Sequence, residues 1–347
     1  MSADIAPDKK VTLVDSTLRD GSHAKRHQIS VEQTVAVASA LDAAGVDVIE
    51  VSHGDGLGGA SFNYGFALTD EFELIAAAVG AVERAQIAVL LLPGIGVKED
   101  LNRARELGAS VVRIATHSTE ADISPSHIAL ARELGFKTAG FLMMAHMNSP
   151  EGLLEQAKIM EEAGAEIVYV TDSAGALTPD AVAARVQALR GGLDAGTEVG
   201  IHCHENLSLA IANSLVAIEH GATWVDGCTC GLGAGAGNAP TEVLTAVFEK
   251  LGIEVNADTF EMLDVADDVV RPIMDRPQVV DRASLILGYA GVYSSFLLHA
   301  ERAAERFHVS TKDILVEVGK RKAVGGQEDL IIDIAAELAA QPAAAGS

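Results

Sequence analysis

"PEGLLEQAKIMEEAGAEIVYVTD", residues 150–172, holds one whole unit of the architecture. Leu153, Ala157 and Met160 recur four and three apart, the spacing of one helix face, and Gly164 supplies a helix stop. The β-branched run EIVYVTD follows at once and reads as a strand. The same sentence repeats along the chain. Short apolar runs occur at 11–15 (VTLVD), 46–52 (VDVIEVS), 86–92 (QIAVLLL), 110–116 (SVVRIAT), 137–144 (KTAGFLMM), 166–172, 198–204 (EVGIHCH) and 223–229 (TWVDGCT). Helical patterns such as VEQTVAVASALDAAG and KEDLNRARELG lie between them, and "AGVD", "LGAS", "LGFK" and "HGAT" mark the returns. Strands alternating with helices give a parallel sheet. Eight units over about 240 residues predict a closed (β/α)8 barrel rather than an open sheet, and no GxGxxG follows the first strand.

The strand signal stops near residue 252. From Asp258 the pattern is helical: FEMLDVADDVV, then RASLILGYAGVYSSFLLHAERAAERF, TKDILVEVGKR and DLIIDIAAELAA. This predicts a barrel domain over 1–271 and a helical domain over 272–347, ending in a loose tail, QPAAAGS.

Composition narrows the function. The chain has 347 residues, 49% hydrophobic and only 4% aromatic, so its core is Val, Ile, Leu and Ala. A formal net charge of -24 argues against nucleic acid and anionic membranes as partners. Three cysteines cannot build a disulfide framework, MSADIAPDKK lacks the apolar stretch of a signal peptide, and no run is long enough to span a bilayer; cytoplasmic residence is expected.

The first strand leads into "TLRDGSHAKRHQ", residues 17–28, which crowds Arg19, Asp20, His23, Lys25, Arg26 and His27 into one loop at the strand's C-terminal end. That end of a barrel is where active sites sit. Far along the chain comes "HCHEN", 202–206. Residues i and i+2 of a strand share a face, so His202 and His204 both point into the lumen and Cys203 points away. With Asp20 they form two imidazoles and one carboxylate, a set that leaves open positions on a divalent ion such as Mn, Fe, Co, Ni or Zn. Cys228 and Cys230, on the eighth strand, read as small buried residues.

Three motifs together, "TLRDGSH", "HCHEN" and "GLGAGAGNAPTE", resemble the metal-dependent lyase and synthase superfamily that carries an Arg-Asp-Glu signature on a TIM barrel and includes isopropylmalate synthase and hydroxymethylglutaryl-CoA lyase. Within it, "VSHGDGLGGASFNYGF" (51–66) and "LGYAGVYSSFLLHAERAAERF" resemble the 4-hydroxy-2-oxovalerate aldolases of the meta-cleavage pathways for aromatic compounds and steroid rings. The resemblance covers nearly the whole chain. It implies a divalent ion, Mn2+ first and Co2+ or Mg2+ as alternatives, on Asp20, His202 and His204, and no organic cofactor. It implies cleavage of a 4-hydroxy-2-oxoacid into pyruvate and acetaldehyde, or propionaldehyde from the longer homologue. It also implies passage of that aldehyde to an acylating aldehyde dehydrogenase, two of each chain, met by the helical domain.

The chemistry fits these residues. Breaking C3–C4 leaves charge on a pyruvate enolate, which either a Schiff-base lysine or a Lewis-acidic metal can stabilise. None of the lysines, at 9, 10, 25, 98, 137, 158, 250, 312, 320 and 322, stands at the C-terminal end of a predicted strand. Arg19 would add fixed positive charge beside the enolate oxygen, and Glu50 either holds Arg19 or is a paired buried carboxylate. His23 is the candidate base for the 4-hydroxyl proton, since imidazole titrates near neutrality. The resemblance adds Tyr293 at the aldehyde end, against a plain reading that pairs it with Tyr289 on one helix face. It adds Ser173 as a donor to the substrate carboxylate, His202 beside the substrate, and Leu90 and Leu92 as limits on aldehyde size. Asn238 is either an N-cap or a group beside the ion, as outer support or fourth ligand. The glycine-rich 53–66 stretch reads as a rim loop or lid. The rival functions are a Claisen-type acyl-CoA synthase, a non-catalytic scaffold for the dehydrogenase, and a non-haem iron oxygenase.

Overall fold

The structure, a computed structural model, describes residues 10–294, 296–324, 327 and 329–340. The outer ends of both expected domains, 1–9 and the tail at 341–347, lie outside the described residues. Eight strands, β1 (Thr12–Asp15), β2 (Val48–Glu50), β3 (Gln86–Leu91), β4 (Val111–His117), β5 (Lys137–Met143), β6 (Ile167–Asp172), β7 (Glu198–Cys203) and β8 (Trp224–Gly227), close into a barrel in sequence order. Every neighbouring pair is parallel, including β1 with β8. Each expected strand is present. The eighth is shorter than expected: Cys228 and Cys230 lie beyond its end, and Cys230 adopts φ 58 inside the short turn Thr229–Gly231.

Period-two alternation sorts the strand residues into two cores. Val14, Val48, Ala88, Val111, Ile167 and Trp224 fill the lumen. Their neighbours Leu13, Ile49, Val89, Val112, Val168 and Val225 face outward and pack beneath the helices. Local chemistry starts the helices where they are needed. Ser30 caps Val31–Ala43 with a capping box to Gln33, and Ser149 accepts from Gly152 N ahead of Pro150–Glu162. The result is a rigid wall whose C-terminal rim carries the polar loops. Among the described residues no helix is long and apolar enough to cross a membrane.

After the barrel, helices Arg282–Ala290, Phe296–Phe307, Thr311–Lys320 and Leu330–Ala340 pack around their own core of Leu287, Phe296, Ile314, Leu315, Ile331 and Ile334. The stretch expected as one helix face across 289 and 293 is broken. Gly291 takes φ 64 and ends the helix at Ala290, so Tyr289 is 74% exposed while Tyr293 turns inward from the connecting segment. The helices Arg282–Ala290 and Thr311–Lys320 meet closely because Gly319 lacks a side chain. A Cβ there would stand 2.0 Å from the Ala290 carbonyl oxygen. Gly319→Ala must push the two helices apart, and a loss of about 1–3 kcal/mol in urea denaturation is expected. An unchanged midpoint would show that the contact contributes nothing.

Candidate functional site

The loop after β1 begins as a tight turn. The amides of Arg19 and Asp20 both donate to Ser16 O, at 3.0 and 2.8 Å, which turns the two side chains over the lumen. On the far side of β8, His202 occupies an inward position of β7. Cys203 points outward into the outer core. His204 lies one residue past the strand and is held by a bridge to Asn238.

These elements bring three ligand atoms together. His202 Nε2 is 3.3 Å and His204 Nε2 3.6 Å from Asp20 Oδ2, and the two nitrogens are 3.3 Å apart. Ligands about 2.1 Å from one ion are separated by about 3.0–3.4 Å, so two of the three spacings match a shared divalent cation and the His204–Asp20 spacing is slightly wider. Burial pushes the His204 imidazole down to about 4, despite the pull of Asp20, leaving a lone pair at neutral pH. Burial works against protonated His202 too, but its contacts with Asp20 and Asp226 outweigh this and raise it. Burial likewise opposes the Asp20 carboxylate, yet Arg19 and the two histidines hold it well below the usual range. Among the described residues Asp20 Oδ1 and Asn238 Oδ1 are buried with no partner, as expected of atoms set around an ion.

Beneath this group lies a charge network. Arg19 Nε donates to Glu50 Oε2 at 2.8 Å and Nη1 to Asp20 Oδ2 at 2.9 Å. Arg113, inward on β4, forms a bidentate pair with Asp226 of β8 at 2.6 and 2.8 Å and reaches Glu50 at 3.4 Å. It also donates to Tyr169 Oη at 3.2 Å, over whose ring it sits. Asp226 Oδ2 is 2.8 Å from His202 Nδ1, the arrangement that fixes a ligating imidazole's tautomer and orientation. Three buried carboxylates (Asp20, Glu50, Asp226) thus face two guanidinium groups. The deficit favours a cation at the two histidines.

Above the network opens a cavity of about 560 Å³. Leu90, Leu92, Phe141 and Met143 form an apolar wall, and Ser173, Tyr293 and His23 stand around it. Ser173 Oγ accepts from Met144 N at 3.1 Å, which leaves its proton free to point inward. Asn238 is not an N-cap: the helix that follows β8 starts at Thr241 behind Pro240, and Asn238 Nδ2 lies 3.1 Å from His202 Nε2. No lysine lines the cavity among the described residues. Lys137 instead sits over the Trp224 ring at the opposite end of the barrel. The 53–66 stretch forms a loop over one edge, where Gly54 and Asn63 reach the cavity. Its anchor is Glu71, whose carboxylate accepts from Gly58 N at 2.7 Å and His53 N at 3.4 Å.

Arg113, Asp226 and Tyr169 escaped the reading of the sequence. For Arg113 and Asp226 the signal is a charge at an inward position of a strand buried on both faces, as in SVVRIAT and TWVDGCT.

Residues 10–269 match the HMGL-like family model. The chain belongs to the HMGL-like family. Residues 278–340 match a second model, the DmpG-like communication domain. The 4-hydroxy-2-oxovalerate aldolase of Geobacillus thermodenitrificans is 58% identical over 343 residues, covering 99% of this chain and 100% of that protein. The 4-hydroxy-2-oxovalerate aldolase 4 of Rhodococcus jostii is 59% identical over 332 residues, with coverage of 96% and 94%. The family resemblance carried by "TLRDGSH", "HCHEN" and "GLGAGAGNAPTE" is therefore borne out. Among solved structures, the carboxyl transferase domain from Rhizobium etli pyruvate carboxylase shares the fold, with a TM-score of 0.79 at 17% identity over 96% of this chain and 61% of that one.

Two outcomes are expected. Asp226→Asn should weaken divalent-ion binding about 10- to 100-fold in a chelator competition, through loss of the brace on His202. An affinity within about two-fold of the parent would remove Asp226 from that role. Burial pushes the Glu71 carboxyl up to about 7 from its ordinary 4.5. Between those values the folded chain keeps a proton that the unfolded chain releases, so stability falls as pH rises through the window. Glu71→Gln should flatten that slope in urea denaturation between about pH 5 and about pH 7.5. A slope equal to the parent's would place the titration elsewhere.

Proposed function

We propose that this chain is a class II pyruvate aldolase that cleaves 4-hydroxy-2-oxovalerate, or the 4-hydroxy-2-oxohexanoate homologue, to pyruvate and acetaldehyde or propionaldehyde. The observation that carries the reading is the convergence of Asp20, His202 and His204 on the cavity floor beside Arg19. The names of its relatives agree.

A divalent ion, Mn2+ in this reading with Co2+ or Mg2+ as substitutes, would be held by Asp20, His202 and His204 and would act as a Lewis acid on the 2-keto oxygen. His23 takes the proton of the 4-hydroxyl. The C3–C4 bond then breaks, its electrons pass into the pyruvate enolate, and the aldehyde carbonyl forms. Arg19 stabilises the enolate oxygen. Burial opposes its charge, but Glu50 and Asp20 more than restore it, so it stays cationic throughout. A proton returned to C3 completes pyruvate. Ser173 donates to the substrate carboxylate, His202 flanks the substrate, Leu90 and Leu92 limit the aldehyde, and Tyr293 orients its departing end. Glu50 and Asn238 act through the residues they touch.

The aldehyde passes to an acylating acetaldehyde or propionaldehyde dehydrogenase, two of each chain in the assembly. The match at 278–340 to a communication domain supports that partnership, and we divide the chain near residue 271 into a catalytic barrel and a partner-facing helical domain. Cytoplasmic residence suits three free cysteines.

Supplying 4-hydroxy-2-oxovalerate and Mn2+, with pyruvate followed by coupled reduction, is expected to give turnover that a chelator abolishes and Mn2+ restores. Arg19→Ala should lower kcat about 10²- to 10³-fold with a smaller change in KM. Absence of pyruvate, or full activity after chelation, would overturn the reading.

A further inference from the structure

The chain carries a net charge of -24, yet the proposed substrate is an anion. Salt limits the reach of charge to about 8 Å, so the residues at the cavity mouth decide what an entering anion meets. Two arginines line that mouth, Arg26 and Arg276, both exposed. Among the described residues neither has a carboxylate within 4.0 Å. The other lining charges are largely answered locally. Arg19 and Asp20 pair with each other, and Asp275 pairs with Lys25. Asp55 stands 3.6 Å from His53, which burial keeps neutral, and is the lining acid left to oppose the two guanidinium groups; beyond the lining, Asp281, held down chiefly by the Ser284 amide, also feels Arg276.

The placement is built. Lys25 and Asp275 tie the loop after β1 to the segment that joins the barrel to the C-terminal helices. Arg26 and Arg276 are the next residues on the two tied segments. On one side, Arg26 and His27 take φ 52 and 60 in succession. Left-handed backbone costs about 1–2 kcal/mol at each non-glycine residue. The turn is held nonetheless: His27 N donates to Ser22 O at 2.7 Å, Leu68 N to His27 O at 3.0 Å, and the His27 ring stacks on His53 at 3.7 Å. On the other side, Gln278 Nε2 donates to Gly233 O at 3.0 Å and pins the segment to the barrel rim.

We infer that Arg26 and Arg276, aligned by the Lys25–Asp275 tie, form a cationic entrance that captures the carboxylate of the 2-oxoacid and delivers it to the floor of the cavity. A guanidinium pairs a carboxylate through two parallel hydrogen bonds and is weakly hydrated, so it can hold the anion in passing. The neutral aldehyde gains nothing from such an entrance. The inference rests on the aldolase reading, and the aldol direction separates its two reactants.

With the full Mn2+-loaded chain, pyruvate and acetaldehyde are varied in turn. For Arg26→Gln/Arg276→Gln, kcat/KM for pyruvate should fall about ten-fold at low ionic strength and converge with the parent near about 0.5 M salt. KM for acetaldehyde should move less than about two-fold, since a neutral reactant feels no steering. The double lysine variant should retain most of the parent's salt dependence, which a misfolded entrance would lose. A parental salt slope in the glutamine variant, or equal losses for pyruvate and acetaldehyde, would overturn the inference. If the parent shows no aldol turnover, the functional reading fails. Pyruvate binding by calorimetry then tests the entrance alone: the glutamine variant should bind about ten-fold more weakly at low salt, and equal affinity would refute it.

Discussion

Glu50 Oε2 stands between two guanidinium groups at the centre of the barrel. It accepts from Ser16 Oγ at 2.7 Å, from Arg19 Nε at 2.8 Å and from Arg113 Nη1 at 3.4 Å. Through Arg19 it fixes Asp20, and through Arg113 and Asp226 it reaches His202. Two of the three candidate ligands, one in the loop after β1 and one on β7, are therefore braced from one carboxylate. A buried charge without a partner is strongly destabilising, and removal of one partner from such a set typically costs about 3–5 kcal/mol. Position and protonation are coupled in this lumen: any change that loosens one member alters the field at the others.

The barrel supports this arrangement because its lower lumen is apolar and its upper lumen is charged. Val48 and Glu50 succeed each other on β2, Val111 and Arg113 on β4, and Trp224 and Asp226 on β8, each pair two residues apart on one face. The lower layer keeps water out from beneath. The C-terminal region completes the upper side, since Tyr293, Ser294, Leu298 and His299 line the same cavity as the ligand group. The cavity is thus bounded by segments from both matched family regions, although each region has its own apolar core.

Much of this was legible from sequence periodicity. Eight repeats closed the sheet, and the step of two residues between His202 and His204 placed both on one side. Asp20 followed from its place in the loop that leaves the C-terminal end of β1. The Arg113–Asp226 pair was hidden for a physical reason: neither residue is informative until β4 and β8 face each other across the lumen, a contact 113 positions apart. Asn238 could be read as a cap because its sequence context suits one; the helix start at Thr241 decided otherwise. Tyr289 and Tyr293 share helical spacing, but a single left-handed glycine at 291 intervenes.

That glycine separates two properties of the protein. It releases Tyr293 from the regular spacing of a helix and hands its placement to a short connector, remote in sequence from the Asp20 and His202 supports. Drift in the connector would reshape the cavity wall that Tyr293 contributes while Asp20, His202 and His204 kept their places. The outline of the cavity and the position of the buried ligand group are therefore separately adjustable in this architecture.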